Sequence, residues 1–131
     1  MQAKESGGPI KIGRISLAVE RALGVSLTSD VGIYMEEGDL NALAAARPAN
    51  YLELIDEIAK ITKSPDFVHY QQQEEVIEFV RFYFKAGKFQ MVSVYAAHCG
   101  KPKRWHYRNM TCAILARAKQ APLQGEYSRL K

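Results

Sequence analysis

Residues 66–114 read DFVHYQQQEEVIEFVRFYFKAGKFQMVSVYAAHCGKPKRWHYRNMTCAI, and this stretch limits the possible folds more than any other part of the chain. Three runs of β-branched and aromatic residues are separated by Ala86-Gly87-Lys88 and by Gly100-Lys101-Pro102, the punctuation of an antiparallel meander. Strand periodicity then sorts side chains onto faces. In the first run Val76, Glu78, Val80, Phe82 and Phe84 fall together, opposite Ile77, Phe79, Arg81, Tyr83 and Lys85. The first set is the more apolar and is expected to face the core. In the second run Val92, Val94 and Ala96 oppose Met91, Ser93, Tyr95 and Ala97. In the third, Met110, Cys112 and Ile114 oppose Asn109, Thr111 and Ala113. The expected sheet therefore has one greasy face and one that gathers Arg81, Tyr83, Lys85, Ser93, Tyr95, Asn109 and Thr111.

The region before the meander supplies helical cover. Residues 10–15 suit a short extended piece, residues 17–23 have helical spacing with Gly24 at the stop, and residues 31–35 suit a short strand. Asp39 can cap a short helix that Pro48 ends after Arg47. Asn50 and Glu53 form a capping-box-like start for an amphipathic helix with Leu54, Ile55, Ile58 and Ile61 on one face. That face is expected to pack on Val80, Phe82, Val92 and Val94. A chain of 131 residues is long enough for one domain with its own core. The expected layout is a mobile arm over 1–9, a single α+β domain over 10–121 and a polar tail over 122–131.

Cys99 and Cys112 lack the spacing of a zinc site, nothing precedes them that resembles a secretory segment, and no apolar run is long enough to span a membrane. The expectation is a cytoplasmic protein with reduced thiols and no membrane partner. A formal net charge of +4 favours an anionic partner. The chain has no phosphate-binding glycine loop, H-E-x-x-H or G-x-S-x-G, so nucleotide hydrolysis, zinc proteolysis and serine-hydrolase chemistry lack support.

What remains is a sheet face with cations and hydroxyls and three histidines, His69, His98 and His106. Cleavage of RNA through its own 2′-hydroxyl needs a base, an acid and cations for the phosphate, and no metal or cofactor. Arg81 and Lys85 can serve as those cations or as solvated charges paired with Glu75 or Glu78. Tyr83 and Tyr95 can stack on bases or pack against a helix, and Ser93 and Thr111 also suit a strand as plain β-formers. The segment KPKRWHYR, residues 101–108, interleaves cations with Trp105, His106 and Tyr107, which suits RNA or the protection of a sheet edge.

The order of elements, with Arg47-Pro48, the amphipathic helix, Pro65-Asp66-Phe67-Val68, an aromatic strand ending in Lys85, a valine-rich strand and Met110-Thr111-Cys112-Ala113, resembles the phage-borne branch of the barnase/EndoU/colicin/RelE-like nuclease superfamily over residues 31–117. That resemblance implies helices on one side of a four- or five-stranded antiparallel sheet and metal-independent RNA cleavage on the other. It implies roles for Arg47, Arg81, Lys85 and Thr111, and a protein inhibitor or antitoxin as a partner. The chain departs from the pattern by having Asn41, Ala44 and Arg47 where the family carries histidines. His98 and His106 are then the expected acid and base, brought together by the hairpin between them, with Tyr83, Ser93, Tyr95, Arg104, Trp105 and Asn109 contacting substrate. The alternative expectation is a catalytically silent binding or structural module that keeps the fold.

Overall fold

The computed structural model describes residues 9–27, 31–101, 103–115 and 127–130. Its elements run β1 (Ile10–Arg14), α1 (Leu17–Leu23), β2 (Gly32–Met35), α2 (Glu37–Ala46), α3 (Tyr51–Lys63), β3 (Phe67–Gln71), β4 (Val76–Lys85), β5 (Lys88–Cys99), β6 (Arg104–Leu115) and β7 (Ser128–Arg129). Local signals account for several boundaries. The Ser16 hydroxyl accepts from Val19 N–H at the start of α1, and Gly24, at φ 70°, closes the helix through Arg21 and Glu20 carbonyls. The start of α2 falls before Asp39, at Glu36, without a side-chain cap. Asn50 does stand at the start of α3, although its side chain forms no capping bond.

The fold is α+β, as expected, but the sheet is larger and mixed. Seven strands lie in the order β1-β2-β6-β5-β4-β3-β7. β2 runs parallel to β6, with Ile33 opposite Trp105 and Tyr34 opposite His106. The expectation of four or five purely antiparallel strands is therefore corrected. β1, β2, β3 and β7 are five residues or shorter, too brief for alternation to declare itself. The parallel pair is joined through α2, α3 and the whole meander, so no local turn signals it. Part of the segment expected as a polar tail, residues 128–129, lies as an edge strand against β3; residues 1–8, 122–126 and 131 of the expected arm and tail lie outside the described residues.

The three helices of the described residues pack on one face of the sheet. Val19 of α1, Leu40 and Leu43 of α2, and Ile58 and Ile61 of α3 share a cluster with Ile77, Phe79, Val94 and Trp105. α3 crosses β1 closely: a side chain at Gly13 would meet Thr62 Oγ1 at 3.0 Å, a contact that glycine avoids.

This packing corrects the orientation of β4. Phe79 lies opposite Val94 and Ile77 opposite Ala96, so the set that also holds Arg81 and Tyr83 faces the helices. Glu78 and Val80 pair with Tyr95 and Ser93 on the other face. The apolar face of α3 meets Phe79, Val92 and Val94, and the expected partners Val80 and Phe82 point away from it. The reason is that residues 77–80 of β4 are buried on both faces, so alternation of apolar residues there carries no sign. The faces expected for the second and third runs agree with the register.

Candidate functional site

The face without helices is built from cross-strand rows, because paired residues in an antiparallel sheet point the same way. One row crosses four strands: His69 of β3, Glu78 of β4, Tyr95 of β5 and Asn109 of β6. Glu78 is only 7 % exposed. Its two oxygens accept from the Tyr95 hydroxyl at 3.2 Å and the Tyr127 hydroxyl at 2.6 Å. The rings of Tyr127 and His69 lie 5.2 Å apart, so a carboxylate, an imidazole and two phenols form one cluster. Burial, and then the Glu78 charge, push the Tyr95 hydroxyl above the usual phenol range, opposed by the Thr111 and Ser93 hydroxyls. Thr111 and Asn109 are exposed beside the cluster, whereas Ser93 is buried. No well-aligned hydrogen bond satisfies Ser93 Oγ.

Three of the expected active-face residues are on the opposite side. Arg81 and Lys85 flank the ring of Tyr83, with the cationic groups 5.5 and 5.7 Å from its centre. The Tyr83 hydroxyl donates to Glu57 of α3, which places the trio beside the helix layer. Arg47 is the exposed cap of α2, and no described contact joins its side chain to the other expected residues.

The expected His98 and His106 pair is divided by parity. His98 lies opposite Trp105 and His106 opposite Ala97, so the two rings project from different faces. His98 stacks on Trp105 at 4.8 Å on the helix side, and its Nδ1 is 3.3 Å from Glu75 Oε2. Glu75 also receives Lys103 at 2.6 Å. The Lys103 bond and then that from His98 hold its carboxyl below the usual carboxylate range. Both His98 Nε2 and Trp105 Nε1 are buried without hydrogen-bond partners, and Trp105 is 1 % exposed. Trp105 is therefore a core residue, and neither it nor His98 is open to a substrate.

His106 does reach the helix-free face, and Arg104 with it. In β6, Arg108 has no register partner, since Tyr95 pairs with Asn109 and Ala96 with Tyr107. This bulge turns His106 to the side of Asn109, contrary to simple alternation. His106 Nδ1 lies 2.9 Å from Glu36 Oε2, and the Arg104 guanidinium sits 5.1 Å from the centre of the Tyr34 ring.

No family model, curated protein or solved structure matches the chain. The site must therefore be judged from its own groups. Tyr127 and Glu36 were not among the expected site residues; His69 was named only together with the other two histidines, and Glu78 chiefly as an ion partner of Arg81 and Lys85. Glu78 had a visible signal, a lone carboxylate inside an apolar and aromatic strand; Tyr127 had none, because nothing near it in sequence indicates pairing with β3. Among the described residues, no three His, Cys, Asp or Glu side chains converge as metal ligands, and no helix is long and apolar enough to cross a membrane. Cys99 and Cys112 are unpaired and exposed.

Proposed function

We propose that this domain cleaves single-stranded RNA through the 2′-hydroxyl, on the helix-free face of the sheet. The observation that supports this most is the row His69, Glu78, Tyr95 and Asn109, which gives one face a buried carboxylate and an imidazole on neighbouring strands. Glu78 takes the proton of the 2′-hydroxyl as its oxygen bonds to phosphorus. His69 protonates the departing 5′-oxygen, leaving a 2′,3′-cyclic phosphate and a free 5′-hydroxyl. Asn109 and Thr111 donate to the phosphate oxygens, and Arg129, opposite Phe67 on the same face, adds positive charge. The incoming hydroxyl replaces the Tyr127 phenol at Glu78. This assignment moves acid–base chemistry away from His98, whose ring is enclosed on the other face.

One observation favours a second reading, a silent module that binds RNA or a protein partner. Glu78 is already satisfied by two phenols, and Arg81 and Lys85 are remote from it. Total RNA incubated with the purified protein in EDTA separates the two. Cleavage that is abolished by Glu78→Gln supports the nuclease; saturable binding with intact RNA supports the module.

A further inference from the structure

A second polar row lies one side-chain repeat beyond the first, on the same face. It runs Lys11, Tyr34, His106, Ala97, Val76 and Gln71, polar at its two ends and apolar at its centre. Ala97 is two residues past Tyr95 on β5, so the rows are about 6.6 Å apart. At the β1–β2–β6 end this row borders a depression of about 260 Å³ lined by Pro9, Glu36, Gly100, Lys101, Arg104 and His106. Gly100, at φ 94°, provides the turn that brings Lys101 to its rim. Gly32 has no side chain where Lys11 Cε and the Tyr34 ring would each meet one at 3.1 Å, so both lie across it. The Tyr34 ring in turn supports the Arg104 guanidinium. The Glu36 carboxylate lies 2.9 Å from Nδ1 of His106 without the alignment of a hydrogen bond. Two permanent cations and an imidazole thus surround one carboxylate in a concave site.

We infer that this depression is a phosphate subsite that holds a backbone phosphate of single-stranded RNA next to the Glu78 row. The inference rests on the function proposed above. Arg104, held against the Tyr34 ring, provides a planar guanidinium suited to phosphate oxygens, Lys101 adds a mobile charge at the rim, and His106 adds a further donor in its doubly protonated form.

The test uses a 2′-O-methyl oligonucleotide, which cannot be cleaved through its 2′ position, with affinity measured against salt. Arg104→Gln with His106→Gln is expected to weaken binding at least tenfold and to make the log–log salt slope shallower by about 0.7 for each phosphate that is no longer neutralised. Glu78→Gln should leave that slope unchanged, so failure of the chemistry and failure of the subsite are told apart. An unchanged slope in the double variant overturns the inference. Titration of the unaltered protein with inorganic phosphate, read at the His106 ring protons by NMR, needs no folded variant. Saturable shifts at His106 together with the slope change support the subsite. Shifts without oligonucleotide binding would mean a free-phosphate site and overturn the RNA assignment; no shift and no slope change overturn the site altogether.

Discussion

Among the described residues, two adopt backbone conformations that their side chains disfavour. Ala86 has φ 52° and Glu75 has φ 55°. Ala86 and Gly87 form the two-residue turn between the paired Lys85 and Lys88, where both central positions need positive φ. Asparagine tolerates that conformation better than alanine, so Ala86→Asn is expected to raise stability by about 0.5–1 kcal/mol in urea unfolding. Glu75 is retained in the same conformation by its carbonyl, which accepts from His98 N–H at 2.8 Å, and by its carboxylate bonds to Lys103 and His98. The phenols make a separate prediction at high pH. Burial is the first cause of the raised ionisation of both Tyr95 and Tyr107, with Glu78 and Asp39 as the nearby negative charges. A raised folded-state pKa adds stability that is fully present below the unfolded phenol value near 10 and is lost as pH rises through the folded value. Tyr95→Phe should therefore flatten the fall in melting temperature above about pH 10.

At the scale of elements, β4 decides which face is which. Phe79 is fully buried against the helix layer and Phe84 is 63 % exposed on the other side. Phe79→Ala should cost about 3–5 kcal/mol in chemical denaturation, and Phe84→Ser should change stability by no more than about 0.5 kcal/mol. Equal losses at the two positions would contradict the register. Much of the element order was legible from sequence: α1 from its helical spacing and closing glycine, α3 from its apolar stripe, and β4, β5 and β6 from their turns. The faces of β5 and β6 were legible because their aliphatic and hydroxyl residues alternate cleanly. The face of β4 was not, since Ile77 and Val80 are buried on opposite sides. Glu78 was the better guide, because a carboxylate among Phe79, Val94 and Ile58 would have no compensation for its lost hydration. The side chosen by His106 was hidden for another reason, the unpaired Arg108, which resets the alternation without any glycine or proline to announce it.

Across the whole molecule, non-local pairing assembles both polar rows. The parallel β2–β6 contact brings Tyr34 and Glu36 to His106, and β7 brings Tyr127 to Glu78. Neither pairing has a local sequence signal, so the basic hairpin was legible as a cluster while its carboxylate partner was not. The same pairings separate residues that looked associated, leaving Arg81, Tyr83 and Lys85 beside α3. The central claim is that the Glu78 row performs metal-independent cleavage. The most direct measurement is the rate of cleavage of a defined single-stranded RNA in EDTA, comparing the parent protein with Glu78→Gln and identifying the product ends. Cleavage by the parent to 2′,3′-cyclic phosphate ends, reduced at least about 100-fold in Glu78→Gln with folding intact by circular dichroism, is the expected result. Absence of cleavage from pH 5 to pH 8 (about 1.5 units either side of an ordinary imidazole pKa), or full activity in Glu78→Gln, would contradict it.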